Sequence, residues 1–133
     1  MEQTHPRTIP YLFENSVNRF PLNILLREKK SDAYRGTSYA ALQTLVYQCG
    51  AGLISLGIQH GDRIALISEG RNDWVVSELG ILYAGAINVP LSVKIEEFND
   101  LKFRIAHSGC RMVIVSGGHA HKIRAIKNDL PDL

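Results

Sequence analysis

Two short segments carry residue types suited to binding an anion in this 133-residue chain. Residues 116–119 (Ser-Gly-Gly-His) follow one apolar run, and residues 68–72 (Ser-Glu-Gly-Arg-Asn) follow another. The turn between the end of a strand and the start of a helix is where open α/β sheets bind anions. Neither segment has the G-x-G-x-x-G pattern or the lysine-serine pair of a phosphate loop. At 116–119 a plain turn is therefore favoured over a phosphate site.

Segment 68–72 is the better location for a ligand, because it ends the first strand of the predicted sheet. Arg71 has the charge to meet a carboxylate or a phosphate. Asn72 is suited to cap the helix that follows, with Asp73 complementing the helix dipole. The cap is the favoured interpretation, and the ligand remains the alternative.

No set of side chains has the spacing of a catalytic or metal centre. His119 and His121 stand two residues apart, so they point to different sides of a helix rather than to one metal ion. No paired acids, Ser/His/Asp set or Cys/His set occurs at suggestive spacing. The other histidines are scattered: His5, His60 and His107. The sequence therefore predicts no catalytic, cofactor-binding or metal-binding residue within this chain.

Composition excludes several classes of protein. The 15 basic and 13 acidic residues nearly balance, at net charge +2, which gives no basic surface for nucleic acid. The longest apolar stretch, 74–91, is interrupted by polar residues, so no transmembrane segment is expected. The polar start at 1–7 lacks a signal-peptide core. Cys49 and Cys110 are expected to be reduced thiols of a cytoplasmic protein.

Apolar periodicity predicts a single domain over 1–133 that begins with a helix at 9–20. A polar turn is expected at 29–32 and a small hairpin at 33–39, with Gly36 in its tight position. A long helix at 40–56 follows, with one apolar stripe and a Gly57 cap on which Ile58 folds back. The stripe consists of Leu42, Leu45, Val46, Cys49, Leu53 and Leu56.

The remainder alternates short apolar strands with helices, and the sheet core spans 40–130. Strands are predicted at 63–68, 86–91 and 111–116, and helices at 73–84, 96–107 and from 117 onward. This alternation predicts an α/β fold: a three-layer open parallel sheet with helices on both faces. In these helices, Trp74, Phe98, Leu101, Ile105, Ile123 and Ile126 are expected to face inward, and Lys122, Arg124 and Lys127 outward.

The order and spacing of several motifs resemble the amino-terminal subdomain of the AMP-forming acyl-CoA synthetases, most closely the long-chain fatty-acid type. The resemblance covers nearly the entire chain. The matching motifs are Ile9-Pro10-Tyr11-Leu12-Phe13-Glu14, Thr37-x-Tyr39, Gly57-Ile58-x-x-Gly61-Asp62-Arg63-Ile64-Ala65, Arg71-Asn72-x-Trp74, Tyr83-Ala84-Gly85-Ala86-x-x-Val89-Pro90-Leu91, the 100–109 helix and the 113–115 strand.

The resemblance implies a two-step reaction for a longer parent enzyme. A fatty acid attacks the α-phosphate of ATP, giving an acyl-adenylate and pyrophosphate, and CoA then displaces AMP to form the thioester. ATP, Mg²⁺ and CoA are thus implied for the parent. The family's Ser/Thr-Gly-Thr-Thr-Gly-x-Pro-Lys-Gly phosphate loop occurs nowhere in 1–133. The chain is therefore expected to be an inactive amino-terminal fragment; the alternative is a free-standing α/β binding or interaction module.

Partners and location follow from the same interpretation. A piece of a larger enzyme is expected to dock against the rest of its parent chain and, when alone, to self-associate through exposed apolar surface. The helix at 73–84 is the expected source of that surface. A cytoplasmic location is expected, with peripheral membrane attachment of the parent as a further expectation.

Overall fold

The computed structural model describes residues 8–133, so the polar start at 1–7 and His5 lie outside the described residues. Helices and strands alternate along the chain as the periodicity predicts, and two turns of 3-10 helix flank the last α-helix. The elements are α1 (Ile9–Arg19), β1 (Ile24–Lys30), β2 (Ala33–Ser38), α2 (Tyr39–Ser55), β3 (Arg63–Ile67), α3 (Asn72–Tyr83), β4 (Ile87–Pro90), α4 (Phe98–Ser108), β5 (Cys110–Val115) and α5 (Ala120–Ile126).

The main sheet has β3 at its centre, with β4 and β5 on either side, and both pairings are parallel. Side chains alternate between the two faces of β3. Ile64 packs under α2 and α3, whereas Ala65 and Ile67 pack under α4 and α5. The run of consecutive apolar residues is therefore covered from both sides. The predicted three-layer parallel fold is confirmed.

The end of α2 follows its prediction closely. Gly57 has φ +95°. Its N–H donates to the carbonyl of Ile54 at 2.9 Å, and the N–H of Ile58 donates to Leu53 at 3.1 Å. These two bonds define a Schellman cap, and the buried Ile58 side chain closes it against the core. The predicted stripe was too wide, because Leu45 and Leu56 are exposed.

A close helix contact explains why α3 is apolar on nearly every side. A Cβ atom on Gly80 would lie 2.5 Å from Sγ of Cys49 in α2, so only glycine allows this approach. The opposite side of α3 lies over β3 and β4. No large apolar residue of α3 is exposed among the described residues. The prediction that this helix supplies the association surface is therefore wrong.

The hairpin is larger than predicted. β1 and β2 pair antiparallel from Ile24↔Ser38 to Lys30↔Ala33, so the turn lies at Ser31 and Asp32. Gly36 lies within β2, where a Cβ atom would stand 3.0 Å from Cγ2 of Ile24. Its role is to make room for Ile24, and the prediction of Gly36 in the tight turn is wrong. The second half of β1 is charged and lacks the apolar alternation that marks a strand, so the sequence did not reveal it.

The carboxylate of Glu14 links α1 to α2 and α3 by hydrogen bonds. Glu14 accepts hydrogen bonds from the hydroxyl groups of Tyr47 at 2.6 Å and Tyr83 at 2.5 Å, and from Nε2 of Gln43 at 2.8 Å. Burial raises the pKa of Glu14, but these three hydrogen bonds together outweigh it and hold the pKa below its ordinary value. Burial and the Glu14 carboxylate in turn raise the pKa of Tyr83.

The prediction that Lys122 faces outward is wrong, because only 3% of its side chain is exposed. Its ammonium group donates to the carbonyls of Val93 at 2.8 Å and Ile95 at 3.0 Å, and to Oε1 of Glu96 at 2.9 Å. The three donors of the ammonium thus have three acceptors. Lys122 holds the loop between β4 and α4 against α5, and its charge masked this role in the sequence. Arg124 and Lys127 are exposed, as expected.

Candidate functional site

An open cleft of about 270 Å³ lies at the carboxyl ends of β3 and β5. The chain leaves β3 toward α3 on one face of the sheet and leaves β5 toward α5 on the other. This divergence is the switch point at which open α/β sheets bind ligands. The cleft is lined by Leu66, Ser68, Arg71, Asp73, Trp74, Ser77, Ile114, Val115, Ser116 and Gly117. Both segments singled out in the sequence therefore contribute to one cleft.

Trp74 forms part of the cleft wall and is partly buried. Most of its surface is covered, in agreement with the prediction of a largely buried side chain. The prediction that Phe98 faces inward is wrong, since Phe98 begins α4 and is exposed, whereas Leu101 and Ile105 later in that helix are buried as predicted.

The charged groups at the cleft mouth are paired with one another. The hydroxyl group of Ser116 donates through Oγ to Oε2 of Glu69 at 2.6 Å. The guanidinium of Arg71 contacts Glu69 at 3.4 Å and Asp73 at 2.9 Å. The Ser116 hydrogen bond is the main cause that lowers the pKa of Glu69, aided by the charge of Arg71. Two carboxylates therefore surround one guanidinium, which leaves no net positive charge to attract an anion.

The turn at 116–119 is not shaped as a phosphate cradle. Its serine hydroxyl is used by Glu69, and the negative charge of that carboxylate opposes a second anion there. Nε2 of His119 lies 3.7 Å from Oε2 of Glu69, and Nδ1 is buried without a hydrogen-bond partner. His121 is exposed on the other side of the turn. Gly117–His119 form a single turn of 3-10 helix.

The cap of α3 comes from a distant strand. Asn72 is the first residue of the helix, and no side chain of residue 71 caps it. Instead the backbone N–H of Asn72 donates to Oε1 of Glu28 in β1 at 3.1 Å. This hydrogen bond is the main cause that lowers the pKa of Glu28. The prediction of an Asn72 cap is wrong, and because the true cap is 44 residues away, no local signal indicated it.

The remaining chemistry-bearing residues are dispersed. Cys49 is half-buried and burial raises the pKa of its thiol, and Cys110 is buried beside Ser108. Over residues 8–133, no group of three or more His, Cys, Asp or Glu side chains is arranged to hold a metal ion. Within the same residues, no helix has the length and apolar character needed to cross a membrane.

A family comparison decides the classification of this domain. The model of the AMP-binding enzyme family matches residues 13–133. The chain belongs to the AMP-binding enzyme family. The resemblance in the sequence motifs is thereby confirmed. This AMP-binding family member shares 28% identity over 98 residues with 3-hydroxybenzoate–CoA ligase of Aromatoleum sp. (strain CIB), covering 74% of the chain and 18% of the relative.

Other relatives of this AMP-binding family member act on fatty acids, according to their names. It is 26% identical over 110 residues to fatty acyl-CoA synthetase A of Dictyostelium discoideum, covering 83% of the chain and 16% of the relative. It is 48% identical over 40 residues to long-chain-fatty-acid–CoA ligase FadD15 of Mycobacterium bovis, covering 30% of the chain and 7% of that relative. The chain spans less than a fifth of the length of these curated relatives.

Solved structures give the same fold. The N-terminal domain of FACL13 from Mycobacterium tuberculosis superposes with a TM-score of 0.82 at 26% identity, over 91% of this chain and 30% of that one. The anthranilate CoA ligase AuaEII superposes with a TM-score of 0.83 at 22% identity, over 93% of this chain and 23% of that one, and shows the fold alone. The AMP-binding family member thus has the fold found at the amino terminus of acyl-CoA synthetases.

Proposed function

We propose that this chain is the amino-terminal scaffold portion of a long-chain fatty-acid–CoA ligase. The parent enzyme converts ATP, a fatty acid and CoA into acyl-CoA, AMP and pyrophosphate. The observation that carries the proposal is the family match over 13–133, together with relatives named as fatty acyl-CoA synthetases and long-chain-fatty-acid–CoA ligases. Neither acyl chain length nor a substrate contact is assigned to this portion.

The geometry of the cleft supports a scaffold rather than a catalytic role. Arg71 is neutralised by Glu69 and Asp73, so its guanidinium is not free to balance a triphosphate. Over residues 8–133, no group of three or more His, Cys, Asp or Glu side chains is placed to hold a metal ion. No step of the reaction is therefore assigned to them. In this proposal the remainder of the parent supplies the phosphate loop and the groups that bind ATP, Mg²⁺ and CoA.

Exposed apolar side chains support docking against the rest of the parent chain. Leu22 is 85% exposed and Leu56 is 72% exposed, and Phe103 stands out from α4. Exposed apolar residues mark a surface that contacts a partner where they form a contiguous patch. In the proposal these surfaces lie inside the complete enzyme, which is cytoplasmic and attaches peripherally to membranes. A chain without the rest of the parent, which would cover these surfaces, is expected to self-associate.

An exchange assay tests whether this portion has activity of its own. The chain is incubated with palmitate, Mg²⁺, ATP and labelled pyrophosphate, and a complete acyl-CoA ligase serves as the positive control. The expected result is exchange at the level of the enzyme-free blank. Reproducible exchange above that level, abolished by omitting palmitate, would refute the scaffold role.

The parent assignment has a separate test in the gene. Reading the frame beyond the codon for Leu133 is expected to reveal the Ser/Thr-Gly-rich phosphate loop of the family. A frame that ends without that loop would instead favour the free-standing binding or interaction module.

A further inference from the structure

The positive charge of this chain is concentrated around the β1–β2 hairpin. Residues 15–61 contain five basic and two acidic residues, whereas the rest of the sequence contains 10 basic and 11 acidic ones. The five basic residues are Arg19, Arg27, Lys29, Lys30 and Arg35. Of the two acids, Glu28 is already engaged, because it accepts the N–H of Asn72 and contacts Lys30 at 3.4 Å. The hairpin therefore has a positive charge that the rest of the domain does not share.

One face of the hairpin brings two cations and an aromatic ring together. In the register of β1 and β2, Arg27 is the partner of Gly36 and Lys29 is the partner of Tyr34. Directly opposed residues of an antiparallel pair share one face, so Arg27, Lys29 and Tyr34 project from the same side. All three are exposed, and Tyr34 is 68% exposed. Among residues 8–133, neither Arg27 nor Lys29 has a carboxylate partner. Their charges are therefore available to an anionic partner.

An apolar groove continues this face onto α2. Because Gly36 has no side chain, Ile24 lies across the hairpin, with its Cγ2 atom 3.0 Å from the place where a Cβ atom would stand. Ile24 shares the groove with the exposed Leu45 of α2. The other lining residues are Gly36, Thr37, Ser38, Ala41 and Thr44. No charged residue occurs in α2, although a surface helix ordinarily presents charges to water. The exposed side of α2 is therefore suited to a less polar environment than water.

The groove and the hairpin lie far from the place where the sequence ends. The hairpin contacts α2 and α3, which cover one face of the main sheet. Leu133 packs with Ile105 and Cys110 in the core on the other face, beneath α4 and α5. The cationic hairpin and the last residue of the sequence thus lie on opposite faces of the sheet.

We propose that this surface binds membranes that contain anionic lipids. We call it the hairpin face, and it consists of Ile24, Arg27, Lys29, Tyr34 and Leu45. Arginine and lysine are attracted to the phosphate and carboxylate groups of anionic lipids, and tyrosine rings favour the level of the headgroups. The exposed apolar side chains then enter the boundary between headgroups and acyl chains. The proposal specifies the peripheral attachment proposed above and rests on it, but it does not depend on the ligase reaction.

Vesicle sedimentation tests the proposal on the unmodified chain. The vesicles consist of phosphatidylcholine alone or of phosphatidylcholine with about one third phosphatidylserine, and we expect a partition coefficient at least about tenfold higher on the anionic ones. Raising the salt from about 0.1 M to about 1 M shortens the Debye length from ~10 Å to ~3 Å and is expected to remove most of this difference. Equal partition onto both vesicles would overturn the proposal. Absence of binding would also overturn it and would assign the surface to a protein partner. The pyrophosphate-exchange assay is independent of this measurement, so either outcome leaves the ligase assignment unchanged.

Two double variants with the same net charge locate the binding surface. Arg27→Glu with Lys29→Glu reverses the cations of the hairpin face. Arg124→Glu with Lys127→Glu reverses two exposed cations at and just after the end of α5. We expect the hairpin variant to bind anionic vesicles at least about tenfold more weakly than the unmodified chain, and the control less than about threefold more weakly. Equal losses would show that only the overall charge matters and would refute the hairpin face.

A second pair of variants tests the apolar contact. Leu45→Gln removes an apolar side chain of the hairpin face, and Phe103→Gln removes an exposed one from α4. We expect the Leu45 variant to bind anionic vesicles at least about threefold more weakly and the Phe103 variant to bind as the unmodified chain does. Equal binding by both variants would contradict the contact of α2 with the membrane. Circular dichroism checks folding, and if a variant is unfolded the comparison of lipids and salt on the unmodified chain decides.

Discussion

Replacing Lys122 by Met tests the network that holds the loop between β4 and α4. Methionine keeps the unbranched stem and its burial, but removes the ammonium group. Loss of the ammonium leaves the carbonyls of Val93 and Ile95 without their donor. A buried acceptor without a partner costs about 1–3 kcal/mol. Glu96 is 74% exposed, so its carboxylate regains water and adds little.

An opposing contribution reduces the total. The folded variant no longer has to remove a charged ammonium group from water, and this gain offsets part of the lost hydrogen bonding. Starting from two uncompensated carbonyls, we expect Lys122→Met to lower the free energy of unfolding by about 2 kcal/mol. The same reasoning predicts that the variant loses structure first at residues 91–96.

Urea denaturation at pH 7, at a concentration where the chain is monomeric, measures this change. Arg124→Met is the matched control, because Arg124 is an exposed cation on the same helix. The control is expected to change the unfolding free energy by less than about 0.5 kcal/mol. A Lys122 variant within that same margin, or one more stable than the unmodified chain, would refute the reasoning.

Three further perturbations follow from contacts in the fold. Gly80→Ala forces a methyl group against Cys49 and is expected to cost about 1–3 kcal/mol in urea denaturation; an unchanged midpoint would show that the helices separate freely. The depressed pKa of Glu14 means that its stabilisation is complete above the ordinary value near 4.5 and is lost as pH falls through the folded value. Glu14→Gln should therefore flatten the acid limb of a stability–pH curve, and an unaltered limb would contradict this. Glu28→Ala removes the cap at Asn72 and should lower the midpoint of urea denaturation, whereas a Glu28→Gln variant, which keeps an acceptor oxygen, should recover part of the loss.

The sequence predicted those parts of the fold whose signals are local. Four consecutive buried residues marked β3, and Gly57 with Ile58 marked the end of α2, because strand burial and helix capping depend on residues next to one another. The parallel order of the strands followed from their alternation with helices. The family was recognised from the order and spacing of short motifs, whose residues lie close together in the sequence.

The errors concern contacts between residues that are distant along the chain. Lys122 was expected to be exposed because its side chain is charged. Its acceptors are backbone carbonyls 27 and 29 residues away, and no side-chain type in the sequence indicates such acceptors. Asn72 was assigned a capping role that Glu28 performs. Phe98 was expected to face inward, but it is exposed, because periodicity reports how apolar a helix is and not where the neighbouring elements end. Segments 68–72 and 116–119 follow β3 and β5 as expected, whereas the pairing of their charged groups became visible only in the tertiary structure.

The hydrogen bond from Glu28 to the start of α3 has a consequence for folding. A two-stranded hairpin alone is marginal in water, and most of β1 and β2 is exposed. By tying the hairpin to the helix, this contact makes the two part of one cooperative unit. The hairpin is then expected to open together with the first turn of α3, so that both report the same opening free energy. A segment that is almost entirely on the surface is thereby expected to resist local opening as strongly as the helix to which it is bonded.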